Sequence, residues 1–326
     1  MQNNLPAGFT LRNATWEDLE GVRDVIYAAC VEFGDAEMAV SKEDLTTEWK
    51  TAGFDLSRDC WVVTDPSGKI VGTEEFVNRF EHCVLGGDGY VHPGYYNLGI
   101  GTALLAALVE RAQQDLPLAK DGMRVYIRNG VGTKETNALD VHQAAGFSLV
   151  RYHWRMEINL GTTSNAPMQL PEGLELRPFD VATQDHQLYL AHHDAFKDHW
   201  GHTTRPYEYW VNNVRGFNSF DPTMWLVAWD GNEIAGYALN RVKQEIGWVN
   251  TLGVRRPWRK RGLGLALLKT SFELFKQRGL SRAGLSVDAA NPTGATRLYK
   301  KAGMTMANEY VIFEKQLRDG IEPADV

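Results

Sequence analysis

Cysteine is scarce in this chain. Its 326 residues include three, Cys30, Cys60 and Cys83, all in the first half and none in C-x-x-C spacing. That excludes a disulfide scaffold, and an odd number of thiols without a framework points to reduced, intracellular protein. The second half has no thiol, so no acyl-cysteine intermediate can form there. Long apolar runs are missing as well. Nothing approaches the ~20 residues of a membrane helix, and Met1 to Phe9 lacks the charged-then-apolar pattern of a signal peptide. The expectation is a cytoplasmic protein without membrane association. Positive charge is in deficit, 34 Lys and Arg against 41 Asp and Glu, for a net charge of −7. The molecule as a whole is therefore not drawn to nucleic acid or anionic lipid. The rest is ordinary, with 44% hydrophobic and 23% charged residues, the balance of a soluble globular protein. The length suits about two domains, each large enough for its own core.

Against this acidic background one basic stretch stands out, Arg259-Lys260-Arg261-Gly262-Leu263-Gly264. It lies between an apolar segment, Trp248 to Val254, and a helix-like run, Leu265 to Gln277. We read these as a strand, a turn and a helix start. Glycines let backbone N–H groups approach an anion, and the helix end adds partial positive charge. Arg259, Lys260 and Arg261 add full charges. A Rossmann dinucleotide turn is the rival reading, but its third glycine would fall at Leu267, and Arg255 to Arg261 separate the turn from its strand. Nucleic-acid binding through Arg255 to Arg261 is the other, and the net negative charge opposes it.

The chain repeats itself. Gly8-Phe9-Thr10-Leu11-Arg12 is echoed by Gly173-Leu174-Glu175-Leu176-Arg177, Trp61-Val62-Val63 by Trp225-Leu226-Val227, Gly72 by Gly236, Gly99 by Gly262 and Gly146 by Gly303. Landmarks that keep their order and near-constant shift indicate a duplicated domain. The expected boundaries are 1–160 for the first domain, 161–172 for a polar linker and 173–326 for the second. Within the first, a helix to about Cys30 should bury Leu19, Val22, Val25 and Ile26. Asp65-Pro66-Ser67-Gly68 should turn a hairpin, and Phe147 to Val150 should return as a strand.

Arg259-x-x-Gly262-x-Gly264 resembles the Q/R-x-x-G-x-G/A signature of the GCN5-related N-acetyltransferases, which hold the pyrophosphate of acetyl-CoA there. The segment Asp288-Ala289-Ala290-Asn291-Pro292-Thr293-Gly294 through Tyr299 is similar to that family's second signature. The resemblance implies two tandem domains of α/β class. Each has a mixed, mostly antiparallel sheet flanked by helices, with the co-substrate where two central parallel strands splay apart. The tandem layout is similar to that of mycothiol synthase, whose C-terminal domain is the active one. That group carries a carboxylate on the central strand, at the position where Trp248 stands here.

The resemblance also assigns roles. Leu252, Gly253 and Val254 would hold the pantetheine arm and acetyl carbonyl by their backbone, where oxyanion charge grows. Arg259, Lys260, Arg261, Gly262, Leu263, Gly264 and Leu265 would bind the diphosphate, and Asn291 the arm. Tyr299 would be the general acid for the leaving thiolate, a phenol of pKa about 10 against a thiol of about 8.5. Glu245 and Asp288 are candidates to take the proton of the acceptor amine. His199 and Trp200, in a cluster with His192, His193 and His202, would line the acceptor site. Their spacing does not suit a metal. In the first half Tyr96 stands in place of Arg259 and His142 in place of Tyr299, so that half is expected to be catalytically silent. The expected function is acetyl-CoA-dependent N-acetylation of a small-molecule primary amine by direct transfer in a ternary complex, without metal. The expected oligomer is a monomer that is a pseudo-dimer within one chain. A non-catalytic CoA-binding or sensor protein is the alternative.

Overall fold

The structure, a computed structural model, describes residues 5–36, 39–161, 168–200, 202, 204–216, 219–291 and 293–323. Most of the expected linker, 162–167, and Pro292 of the second signature lie outside the described residues.

In chain order the first half runs β1 (Thr10–Asn13), α1 (Leu19–Glu32), α2 (Lys42–Trp49), α3 (Leu56–Asp59), β2 (Cys60–Thr64), β3 (Ile70–Phe80), β4 (Val84–Val91), α4 (Ile100–Asp115), β5 (Val125–Gly132), α5 (Thr136–Ala144) and β6 (Ser148–Asn159). The series then repeats as β7 (Glu175–Arg177), α6 (Val181–Phe196), α7 (Tyr207–Arg215), β8 (Leu226–Asp230), β9 (Glu233–Lys243), β10 (Ile246–Val254), α8 (Leu263–Gln277), β11 (Arg282–Asp288), α9 (Ala295–Lys301) and β12 (Thr305–Arg318). The mixed α/β class and the duplication expected from the sequence are both present.

Two compact units result, and they do not follow chain order. Unit 1 is the chain up to Arg151 together with Tyr310 onward; unit 2 is Tyr152–Glu309. In unit 1, β1, β2, β3 and β4 are antiparallel neighbours, β4 runs parallel to β5, and the C-terminal β12 closes the edge against β5. In unit 2, β7, β8, β9 and β10 are antiparallel neighbours, β10 runs parallel to β11, and β6 closes the edge against β11. Thus β5 of the first half has a neighbour from the second half, and β11 of the second half a neighbour from the first. The expected return to a strand occurs: Ser148 to Val150 begin β6, inside unit 1, but from Tyr152 the same strand passes into unit 2 and pairs there with β11, His153↔Asp288 through Asn159↔Arg282. Alternation of side chains fixes which face of a strand is buried, but not which sheet edge it joins.

Local chemistry explains the elements that carry the site. Val22, Val25 and Ile26 of α1 are buried at helical spacing, as expected. Asp65 Oδ1 accepts from the N–H groups of Ser67 (2.8 Å) and Lys69 (3.1 Å), turning the β2–β3 hairpin. Helix α8 buries Leu263, Leu265, Leu268, Phe272 and Phe275, and Gly279 at φ +81° ends it. The core of unit 2 joins this stripe to Val249 of β10, to Leu285 and Val287 of β11, and to Tyr299 of α9.

Candidate active site

The geometry begins where β10 and β11 part. Their parallel pairing covers Ile246↔Arg282, Gly247↔Ala283 and Trp248↔Gly284 and goes no further. Beyond it a bulge between Val249 and Thr251 bends β10, as extra residues in a ladder do. Leu252, Gly253 and Val254 stay paired with Ala238, Tyr237 and Gly236 of β9. On the β11 side their edge is open. Gly253 has no room for a side chain, since a Cβ there would overlap the Tyr237 ring.

The turn that follows β10 is built to receive an anion. Lys260 is left-handed at φ +61° and Gly262 at φ +90°. The first helical bond of α8 is Ala266 N–H to Gly262 C=O, 3.1 Å. Among the described residues, the N–H groups of Lys260, Arg261, Gly262, Leu263, Gly264 and Leu265 have no acceptor. Six consecutive unbonded donors at a helix N-terminus form a ready anion cradle, and a Cβ at Gly262 would meet open space.

Arg259 behaves differently from Lys260. Its guanidinium turns inward, with Nε donating to Val254 C=O (3.0 Å) and Nη2 to Ala195 C=O (2.8 Å) at the end of α6. Asp198 pairs with Arg256 and lies 3.4 Å from Arg259. Asp194, one turn earlier, pairs with Arg255 at 2.9 Å. The end of α6 thus grips three arginines of the turn and sets a carboxylate beside the anion cradle. Asp198→Asn removes that charge without removing the side chain. At low salt it should tighten binding of a diphosphate-bearing ligand at this turn by about two- to fivefold, a gain that fades as salt rises. Titration calorimetry at two ionic strengths measures it. Weaker binding would instead mean that the pairing is needed to shape the turn.

Tyr299 lies on α9 in the core beside α8 and is 7% exposed. Burial pushes its phenol up to about 12, and its hydroxyl makes no hydrogen bond among the described residues. Asn291 turns its Oδ1 back to the Thr293 N–H, 2.9 Å. Asp288 ends β11, its Oδ1 accepting from the Ala290 N–H at 2.9 Å, and its charge reaches His199. Burial holds His199 below the usual histidine range, so the ring is neutral and able to accept a proton. Trp200 is 38% exposed beside it. The structure therefore gathers Asp288, His199, Asn291 and Tyr299 around the end of β11. Glu245 is not brought there. It is exposed in the β9–β10 turn, at the end of β10 that remains paired.

The other histidines belong to packing. His192 Nδ1 bonds the Tyr237 hydroxyl at 3.1 Å, and burial presses its pKa down to about 3. His193 faces His202 at 3.3 Å, and Tyr189 and Trp210 complete this aromatic layer between α6 and α7. Among the described residues no group of three His, Cys, Asp or Glu could hold a metal ion, and no helix is long and apolar enough to cross a membrane.

Sequence reasoning missed Arg155 and Glu157, because it placed β6 in the other domain. Both lie on the face of β6 that Gly284, Ser286 and Asp288 share on β11, where Glu157 is opposite Gly284 and Arg155 opposite Ser286. Glu157 and Trp248 close together over Gly284, and Arg155 Nε lies 3.1 Å from Glu157. The spacing Arg155-x-Glu157 in an alternating strand was the available signal.

Unit 1 keeps the backbone of this site and changes its chemistry. Asn97 (φ +63°) and Gly99 (φ +77°) repeat the conformations of Lys260 and Gly262. His142, in the place of Tyr299, is lowered by burial and hence neutral. Its Nδ1 meets Ala138 C=O at 2.8 Å and its Nε2 faces Asn129 Nδ2 at 3.3 Å. The first contact requires Nδ1–H, and the second leaves Nε2 as acceptor, so this ring has no proton to give.

Buried carboxyls give unit 1 a pH dependence. Burial raises Glu75 from 4.5 to about 7, against a hydrogen bond from Trp49 Nε1 at 2.7 Å, and burial raises Glu135 to about 7. A carboxyl with a raised folded pKa contributes stability that is full below about pH 4.5 and is lost as pH rises through about 7, on the order of 3 kcal/mol for Glu75 alone. The thermal midpoint should therefore fall as pH is raised from about 5 to about 8, and Glu75→Gln should flatten that slope. Calorimetric melts across this range test it; an unchanged slope in the variant would contradict it.

Comparison with known proteins agrees with this geometry. Residues 186–304 match the Acetyltransferase (GNAT) family and residues 57–149 an Acetyltransferase (GNAT) domain. The chain is 30% identical over 246 residues to a mycothiol acetyltransferase of Thermobispora bispora, covering 70% of this chain and 75% of that one. It is 28% identical over 280 residues to one of Streptomyces bingchenggensis, covering 83% and 85%. Among solved structures it is similar to a GCN5-related N-acetyltransferase from Sphaerobacter thermophilus, at 33% identity and TM-score 0.84 over 98% of both chains. A tandem GNAT protein from the clavulanic acid biosynthesis pathway shares the fold at 15% identity and TM-score 0.73, over 96% of this chain and 99% of that one. The duplicated elements, the parted central strands and these likenesses lead to one conclusion: this chain belongs to the GCN5-related N-acetyltransferase family, carries two of its domains in tandem, and is an N-acetyltransferase.

Proposed function

We propose that unit 2 transfers the acetyl group of acetyl-CoA directly to a primary amine of a small molecule, and that unit 1 is catalytically silent. The observation that carries this reading is the run of six unbonded N–H groups, Lys260 to Leu265, at the end of β10 where β10 leaves β11. The diphosphate would rest on these donors, with Lys260 and Arg261 exposed beside them. Leu252, Gly253 and Val254 offer the open edge along which the arm would lie, and Asn291 a side-chain amide. Acetyl-CoA supplies an acyl group activated by a thiol leaving group.

The residues then divide the proton work. The acceptor must be neutral to attack. Asp288 and the neutral His199 are the groups placed to take its proton, directly or through water. Tyr299 keeps its own proton up to about pH 12, so it is a donor at every working pH. Its pKa exceeds that of a thiol by about 3.5 units, close to 5 kcal/mol. The phenol therefore stabilises the growing thiolate by hydrogen bonding and passes its proton late. No cysteine exists in unit 2 to carry the acetyl group, which favours a ternary complex over a covalent intermediate.

The relatives named mycothiol acetyltransferase suggest an acceptor, but Trp248 fills the position on β10 where a carboxylate would be expected. It is 7% exposed and packed over Gly284. We therefore infer a different small amine, met by Glu157 and Arg155 of β6. Thiol release from acetyl-CoA across a panel of amines tests the reading. Saturable, amine-dependent release supports it, and heat of acetyl-CoA binding without release for any amine would make the protein a CoA sensor.

A further inference from the structure

Unit 1 has lost the charge that attracts a diphosphate. Where unit 2 has Arg255, Arg256, Arg259, Lys260 and Arg261, the corresponding turn has His92, Pro93, Tyr96, Asn97 and Leu98. Burial lowers His92 and leaves it neutral. Meanwhile carboxyls have gathered at the place where β4 and β5 part. Their pairing covers Val84↔Tyr126 and Leu85↔Ile127 only, and one side chain, Asn129, bridges the gap beyond by accepting the Gly87 N–H at 3.0 Å.

Glu74 is 4% exposed, and its Oε1 is buried with no hydrogen-bond partner. Its carboxyl lies against Gly87 and Gly89, the residues of β4 beside the gap, where any side chain would overlap it. Glu75 and Asp88 stand opposite each other on the other face of the sheet, and Tyr90 donates to Asp88 at 2.9 Å. Glu135 borders the gap from the β5 side, bonded to the Gly132 N–H at 3.0 Å. The charges acting on Glu74, Glu75 and Glu135 are carboxylates, with no Lys or Arg among them. The basic groups near this part of β4 include Arg79, over Gly86, and Arg111, which lies over the Phe76 ring at 4.2 Å and is paired with Asp59 and Asp115.

We propose that the gap between β4 and β5 in unit 1 binds a linear polyamine, lying where unit 2 would take the arm of its thioester. Oε1 of Glu74 is buried without a donor; an ammonium group supplies one, and its charge would draw into ionised form a carboxyl that burial and the neighbouring Asp88 and Glu75 otherwise hold protonated. Adjacent strand residues point to opposite faces, so Glu74 and Glu75 cannot share one spherical ion. A chain with ammonium groups at intervals can reach both by passing through the opening.

Spermidine titrated into the full chain, with unit 2 saturated by CoA so that no acetyl transfer occurs, tests this. We expect one saturable site per chain at low salt and pH 8. Glu75→Gln and, separately, Glu74→Gln should each weaken it about tenfold or more, and magnesium chloride at equal ionic strength should not displace the amine. Glu74→Gln preserves shape, and its melting curve confirms folding. Four results would overturn the proposal. They are the absence of saturable binding, equal affinity in both folded variants (which would place spermidine in the acceptor cleft of unit 2), displacement by magnesium, and a second CoA bound per chain. The first, third and fourth leave the reading of unit 2 untouched.

Discussion

Tyr299→Phe should lower turnover by about 10²–10⁴-fold, the usual range for removal of a positioned proton donor, with little change in acetyl-CoA affinity. The two effects separate because the hydroxyl makes no hydrogen bond among the described residues while the ring is packed in the core beside α8. Phenylalanine keeps the packing and removes only the O–H. Turnover should fall with KM for acetyl-CoA nearly constant, the pattern of an interaction made only as the thiolate departs. The deficit should shrink for acyl donors with more acidic leaving thiols, which need the proton least. Thiol release with a series of acetyl thioesters measures this, and a uniform deficit across the series would move Tyr299 from proton donor to packing element.

Gly262→Val should abolish measurable acetyl-CoA binding, a loss of about 100-fold or more. Two costs combine. A β-branched residue at φ +90° is strained by roughly 1–3 kcal/mol, and its side chain would occupy the open space above the anion cradle. Relief of the strain would rotate the N–H groups of Lys260 to Leu265 out of register and remove several hydrogen bonds to the ligand together. Gly99→Val, at φ +77° in unit 1, is the matched control. It incurs the same backbone strain, but where we infer no diphosphate. Calorimetric titration of both variants decides the matter. Equal losses in the two would mean that the defect is one of folding; an unaffected Gly262→Val would place the co-substrate elsewhere.

Much of this was legible because it rests on backbone rules. Gly262 and its echo Gly99 marked two turns, which prove to be left-handed there, and the stripe Leu265, Leu268, Phe272 and Phe275 marked the helix that follows one of them. The duplication could be read from residues that hold turns and strand starts, which tolerate little change. What could not be read was pairing. Nothing in Ser148–Asn159 distinguishes the edge of β5 from that of β11, both of which are parallel strands needing an antiparallel neighbour, and with that strand went Arg155 and Glu157. Direction within a side chain was also hidden. Arg259 has the composition of an anion ligand, yet its fork is spent on Val254 and Ala195 carbonyls. Glu245, near the central strand in sequence, is carried to the wrong end of it by the length of β10.

The exchanged strands bear on how the protein can be divided. A gene fragment cut at the apparent linker would encode a catalytic half whose β11 has lost its outer neighbour and whose own tail, β12, belongs to the other sheet. Such a fragment presents an unsatisfied β edge, the surface through which chains aggregate or trade segments. A span from Tyr152 to Glu309 carries all of β6 that pairs with β11 and covers unit 2. Gene duplication here has produced a chain in which a cut between the two repeats is not a cut between the two units, since β5 and β11 each take a neighbour from beyond it.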